Sequence, residues 1–249
     1  MTTIRKLYKA ADSVVGYQKR ANFLHTLRYR LGNYFVWSTR EDRDKLMINH
    51  RKDICIEGYP RSANTYTVLL VEKYADRPLE IGHHLHLAAQ LKRAIHYDIP
   101  AVLLIRKPQD AITSLLLRER AVSIENAIKW YIYFHKGLRI YKDRLIIWEF
   151  NELINDPASH LKMLQQRVKN FSIEVGEIDS EAIFQEIDQL DRITKEKEVS
   201  ANEFNLINSR PGKGKKQKKE QLLAELKANP KYRAWLEECE ELYQFFTTP

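Results

Sequence analysis

The sequence predicts an α/β fold, a single domain with a central parallel β-sheet flanked by helices. Three short apolar runs, Ile54–Ile56, Ala101–Ile105 and Leu145–Trp148, have the length and branched content of strands buried on both faces. Each run is followed by apolar residues at helical spacing, and strands that alternate with helices assemble into a parallel sheet covered on both sides. The 249 residues suit one such domain with a full core. With no internal repeat and no linker, the expected domain is 1–249.

The elements follow in chain order. Within residues 1–50, Phe23, Leu24, Leu27, Leu31 and Tyr34 recur at helical spacing. They predict one or two amphipathic helices packed on the domain, with a peripheral membrane contact as the second reading. Ser62 to Tyr74 carries Val68, Leu69, Leu70 and Val71, and Pro108 to Arg118 carries Ile112, Leu115 and Leu116. A longer pattern, Ser123 to Tyr141, carries Ile124, Ala127, Ile128, Tyr131, Ile132, His135 and Leu138. Asp156 as N-cap with Pro157 in the first helical position opens a helix to Val168. Ser180 is expected to cap a helix bearing Ile183, Phe184, Ile187 and Leu190. Asn229–Pro230 opens a terminal helix with Trp235, Leu236, Cys239, Leu242 and Tyr243. Residues 199–219 read as a polar loop.

Composition narrows the function classes. Hydrophobic residues make up 44% and charged residues 30%, a soluble globular balance. No stretch reaches the ~20 apolar residues that a bilayer span needs, and the basic start, Met1 to Lys9, lacks the apolar run of a signal peptide. Cys55 and Cys239 have no metal-ligand spacing and Cys55 lies in a buried-strand run, so a reducing, cytoplasmic compartment is expected. The net charge is +8, but residues 210–219 hold six basic residues and no acid, and without them the balance falls to +2. The excess therefore argues for one anion site more than for a basic face.

Two segments carry anion-binding chemistry. Gly58-Tyr59-Pro60-Arg61-Ser62-Ala63-Asn64-Thr65-Tyr66 lies between a predicted strand and a predicted helix, where backbone N–H groups and a helix N-terminus converge. Arg61 adds a fixed charge, and Ser62, Asn64 and Thr65 add side-chain donors. The Gly-Lys-Ser/Thr of the common triphosphate loop is missing. In Arg106-Lys107-Pro108-Gln109-Asp110-Ala111-Ile112-Thr113-Ser114, Arg106 leaves a strand end and Ser114 sits about two turns into the next helix, facing the same strand ends. A structural Arg106–Asp110 pair is the competing reading. A third segment, Gly82-His83-His84-Leu85-His86, suggests a metal only weakly. In an extended chain His83, His84 and His86 point to both sides, and no Cys or carboxylate stands at ligand spacing.

Together the first two segments resemble the 5′-phosphosulfate loop, roughly P-[K/R]-S-G-x-[T/S], and the 3′-phosphate motif, R-x-P-x-D-x-x-x-S, of sulfotransferases that use 3′-phosphoadenosine 5′-phosphosulfate (PAPS). Trp148-Glu149-Phe150-Asn151-Glu152-Leu153 with Asp156-Pro157 is similar to that family's strand-end stretch, so the resemblance covers about residues 53–168. Arg210-Pro211-Gly212-Lys213-Gly214-Lys215-Lys216 resembles the late basic loop that covers the 3′-phosphate, giving 199–219 the role of a nucleotide cover. Two positions depart from the pattern: Ala63 stands for the usual Gly, which requires φ < 0 there, and Arg61 stands for the Lys common in cytosolic members.

The resemblance implies a P-loop-like nucleotide site in which PAPS is co-substrate and the product is a sulfated hydroxyl, on a carbohydrate or glycolipid acceptor. Residues 61–66 would hold the 5′-phosphosulfate, with Tyr66 against the adenine. Arg106, Ser114, Arg210, Gly212 and Lys213 would hold the 3′-phosphate. His84 falls in the register of the family's general base, and Arg61 would neutralise the leaving nucleotide oxygen. No metal is implied. Two other classes stay open. A nucleotide-dependent kinase is disfavoured by the missing Gly-Lys-Ser/Thr. A nucleic-acid-binding module using 210–219 is disfavoured by the lack of aromatic residues among those lysines.

Overall fold

The computed structural model describes residue 31 and residues 42–119, 122–195 and 213–248. At its centre is β1 (Ile54–Gly58), buried at every position. It is flanked by β2 (Ile81–His83) on one side and β3 (Ala101–Ile105) on the other, with β4 (Ile146–Glu149) beyond β3, and every pair is parallel. The registers are Cys55 opposite Gly82 and Ala101, and Val102 opposite Ile146.

Alternation along the strands sorts side chains into two cores. Ile54, Ile56, Val102 and Leu104 share one with α2 (Asn64–Tyr74), α7 (Pro157–Gln165) and α8 (Ser180–Lys195). Cys55, Leu103 and Ile105 share the other with α3 (Ala88–His96), α4 (Pro108–Arg118), α5 (Ile124–Lys136) and α10 (Pro230–Thr247). The sheet is thus covered on both faces, as the sequence predicts. Two short helices, α1 (Arg43–Leu46) and α6 (Phe150–Asn155), and a 3-10 turn at Arg139–Arg144 complete the sheet region, and α9 (Lys213–Ala228) packs on α4 and α10.

Gly58 ends β1 where no side chain fits. A Cβ there would lie 2.4 Å from the Leu104 carbonyl oxygen of β3. The bare backbone lets the following loop start against the end of the neighbouring strand.

Local signals explain the helix boundaries. Asp156 caps α7 by accepting from the Ser159 N–H, with Pro157 in the first position. Asn229 caps α10 in the same way through the Lys231 N–H. At α8 the expectation of Ser180 as cap is corrected. Asp179 accepts from the Ala182 N–H, and Ser180 is already helical, its hydroxyl bonded to Tyr66. The pattern over 123–141 breaks at Gly137, after which the chain tightens into the 3-10 turn.

Other expectations change more. The sheet has a fourth strand, β2, and helix α3 follows it; three residues with one large apolar side chain leave no periodic signal. Residues 213–219, expected as loop, form the first turns of α9. Lys, Gln, Leu and Ala are strong helix formers, and Leu226 is buried while Leu222 and Leu223 are half-buried, anchoring the helix by its apolar side. The helices expected within 1–50 and the loop at 199–212 lie largely outside the described residues. Among the described residues no helix is long and apolar enough to cross a membrane.

Candidate functional site

The strand order β2-β1-β3-β4 reverses direction at β1: the chain moves from β1 out to β2, then returns to the far side of β1 as β3. The crevice at the carboxyl ends of two such strands is where open α/β sheets bind ligands. Both anion-binding segments leave the sheet there, one after Gly58 and the other after Ile105.

Tyr59 secures the first loop from below. It is fully buried against Trp130 and Tyr131 and donates its hydroxyl to the Ala127 carbonyl at 3.0 Å. Above it the backbone enters the left-handed region twice, at Arg61 (φ 73) and Ala63 (φ 70). The sequence expectation of φ < 0 at Ala63 is therefore overturned. The Cβ costs ~1–2 kcal/mol in this region, and the loop keeps the conformation because Asn64 Nδ2 donates to the Tyr59 carbonyl and Thr67 Oγ1 to that of Ala63. Ala63 left-handed followed by helical Asn64 turns consecutive N–H groups toward one concavity. No side chain caps α2, and its first turn holds no acid. Ser62 Oγ is buried without a hydrogen-bond partner, as is the accepting Asn64 Oδ1 beside it. The Ser62 hydroxyl and the N–H groups around Ala63 are donors suited to an anion.

The second segment folds against the first. Arg106 donates from NH1 to the Arg61 carbonyl at 2.8 Å, while Tyr131 OH donates to the Arg106 carbonyl at 2.8 Å. The Arg106 guanidinium lies 3.8 Å from the Phe150 ring centroid, and its buried Nε has no partner. Arg106 thus meets the Arg61 carbonyl and the Phe150 ring, and Asp110 acts on it through charge. Arg61 Nε donates to Ser114 Oγ at 3.2 Å. One turn beyond Ser114, Arg118 pairs with buried Asp191 of α8 at 3.0 Å.

Lys219, which the sequence reading did not single out, joins this group from α9. Burial and the nearby Arg106, opposed by Asp110 and reinforced by Arg61, bring its ammonium down to about 8. Burial first, then Arg118 and Arg106, hold Arg61 below the usual guanidinium range, and burial does the same to Arg106. Arg61 and Lys219, both held down by burial and by Arg106, stand near two buried donors without a partner, Ser62 Oγ and Arg106 Nε, in a site that a multiply charged anion would relieve. The sequence contained a signal for Lys219, the basic run at 210–219, but not the helix that selects this lysine.

The histidine segment borders the same loop. His84 Nε2 is 3.0 Å from Thr65 Oγ1, and its Nδ1 meets His83 Nδ1. His86 Nδ1 donates to the Gly58 carbonyl at 2.8 Å. His84 (φ 56) and His86 (φ 54) are left-handed, so the segment is a turn and the expected alternation of an extended chain does not hold. Among the described residues no three His, Cys, Asp or Glu side chains are grouped to hold a metal.

The structure thus brings together Arg61, Ser62, Ala63, Asn64, Thr65, Arg106 and Ser114, with His84 alongside. Tyr66 is a correction. It is 3% exposed, with its ring against Phe184 and its hydroxyl on Ser180, so no face of it is open to an adenine. Arg210 and Gly212 lie outside the described residues, and Lys213 opens α9.

The chain is similar in structure to mouse sulfotransferase SULT7A1 complexed with PAP, with a TM-score of 0.46 and 14% sequence identity, covering 81% of this chain and 96% of that chain. No family model matches the chain, and no curated protein is similar enough to match it.

Proposed function

We propose that this protein is a sulfotransferase that moves the sulfuryl group of PAPS to an acceptor hydroxyl, on a carbohydrate or glycolipid, without a metal. The observation that carries this reading is the convergence of Arg61, Arg106 and Lys219 at the switch point, with unpartnered Ser62 Oγ among them and His84 on the other side of Thr65. The arrangement offers two anion subsites. Ser62, Asn64, Thr65 and the N–H groups around Ala63 suit a phosphosulfate. Arg106, Ser114 and Lys219 suit a phosphate monoester, with Arg210, Gly212 and Lys213 adding to it. The two buried free thiols, Cys55 and Cys239, accord with a reducing, cytoplasmic setting.

PAPS supplies an activated sulfuryl group, and the chain supplies position and charge. The acceptor hydroxyl loses its proton to His84 Nε2 as its oxygen bonds to sulfur. The bond from sulfur to the nucleotide's phosphate oxygen breaks, and the electron pair stays on that oxygen, where Arg61 neutralises it. His84 suits the proton transfer because a neutral imidazole nitrogen can accept a proton from a hydroxyl. Fixed cations take the place that a divalent ion holds in phosphoryl transfer.

The test incubates the protein with PAPS, a panel of alcohol, phenol and sugar acceptors, and EDTA, and follows formation of the desulfated nucleotide PAP. Turnover should persist in EDTA, and His84→Ala should lower kcat by roughly 10²–10⁴-fold with PAP affinity unchanged. Activity abolished by EDTA, or a His84→Ala variant as fast as its parent, overturns the mechanism.

A further inference from the structure

Glu57 is the one charged residue of β1, on the same face as Cys55, and it is fully buried. An ionised carboxylate is costly to bury unless its oxygens are hydrogen-bonded. Here both are. Oε1 accepts from the Leu85 N–H at 2.8 Å and from Gln90 Nε2 at 3.3 Å, and Oε2 accepts from the His86 N–H at 2.9 Å. An apolar side chain would fill this strand position with no desolvation to offset.

The two amides that Glu57 holds belong to the turn in which His84 and His86 are both left-handed. That conformation is unfavourable for any residue with a Cβ and persists only where the surroundings impose it. Secondary ties come from His86 Nδ1 on the Gly58 carbonyl at 2.8 Å and Trp130 Nε1 on the His86 carbonyl at 3.4 Å. With the turn so fixed, the His84 ring is delivered to Thr65, at the entrance of the anion loop.

We propose that Glu57 is a positioning residue for His84: its carboxylate imposes the left-handed turn that aims the imidazole at Thr65. The catalytic consequence rests on the sulfotransferase reading, whereas the placement of the ring does not.

The test uses the full chain labelled with ¹⁵N-histidine and the isosteric Glu57→Gln variant, whose amide must set one N–H against the Leu85 or His86 N–H. In the wild type the His84 ring nitrogens should resonate as a hydrogen-bonded imidazole, distinct from exposed His96. In Glu57→Gln they should move toward the His96 values, and kcat with PAPS should fall about 10²-fold, the scale of a misplacement of ~1 Å, with PAP affinity unchanged. A folded Glu57→Gln protein with unaltered His84 signals and kcat overturns the proposal. If that variant does not fold, wild-type hydrogen exchange decides. Leu85 and His86 amides as slow as those of β1 support the proposal, and amides as fast as an exposed loop overturn it. A wild type that never turns over PAPS removes the sulfotransferase reading alone, because the His84 signals still report on Glu57.

Discussion

Arg61 donates its Nε–H to Ser114 Oγ at 3.2 Å, joining the loop after β1 to the helix after β3 across the switch point of the sheet. The same two segments are joined a second time by Arg106 NH1 on the Arg61 carbonyl. Two bonds thus hold the two anion-binding segments together.

Ser114→Ala tests how these contacts are shared. Ser114 Oγ accepts from Arg61 and, in the proposed site, would also meet the phosphate monoester. Loss of a hydrogen bond to a charged group costs about 1.5–3 kcal/mol, so PAP affinity should fall about tenfold or more, with AMP affinity changed far less. Calorimetry with both nucleotides checks this. Equal weakening of the two would confine Ser114 to holding Arg61.

Lys219 should trade stability for binding. Its ammonium sits at about 8 in the folded chain, against an ordinary value of 10.5, so the unfolded chain binds more protons between those values. The charged form is penalised below pH 8, and stability rises as pH climbs from 8 to 10.5. Lys219→Met should therefore raise Tm at pH 7 while weakening PAP. In the parent, PAP affinity should fall between pH 7 and 9, with proton uptake on binding near pH 8. Titrations in buffers of different ionisation enthalpy measure that uptake, and a pH-independent affinity would contradict the role.

Ala63→Gly should stabilise the chain by about 0.5–1 kcal/mol, because glycine takes φ 70 without strain and loses part of that gain to its freer unfolded state. A Tm series gives the answer. A lower Tm would mean that the Ala63 methyl packs against its partly buried neighbours by more than its conformation costs.

His135 sets an acid limit. It is fully buried, with Nδ1 donating to the Tyr131 carbonyl at 2.8 Å, and burial brings its pKa from 6.5 down to about 4. The unfolded chain takes up a proton between those values that the folded chain refuses. The fold therefore loses stability as pH falls from 6.5 toward 4, by about 3 kcal/mol at most from this group. Denaturant unfolding at pH 7 and pH 4.5 should show a smaller difference in His135→Phe than in the parent.

The strand–turn–helix segments were legible because their chemistry is local. Arg61 to Thr65 and Arg106 to Ser114 each sit within a few residues of a buried strand and a helix start, and the burial of β1 and β3 on both faces is written in the unbroken apolar runs. What depends on distant chain segments was not legible. Lys219 reaches the site only because α9 is helical and packs on α4. Tyr66 is turned away because Phe184 and Ser180 of α8 meet it. The turn at His84 hides behind an ordinary extended-looking sequence, because the group that bends it is Glu57, 27 residues earlier and inside a strand that reads as apolar.

The central claim is a site for a nucleotide carrying a 3′-phosphate, and titration calorimetry of the wild type with PAP and with AMP tests it most directly. In the proposed site Arg106, Ser114 and Lys219 would meet an anionic partner only in PAP, so PAP should bind at least about tenfold more tightly, the worth of one charge-assisted contact. Arg106→Ala should bring the two affinities together. Equal affinity for PAP and AMP in the wild type would contradict the account.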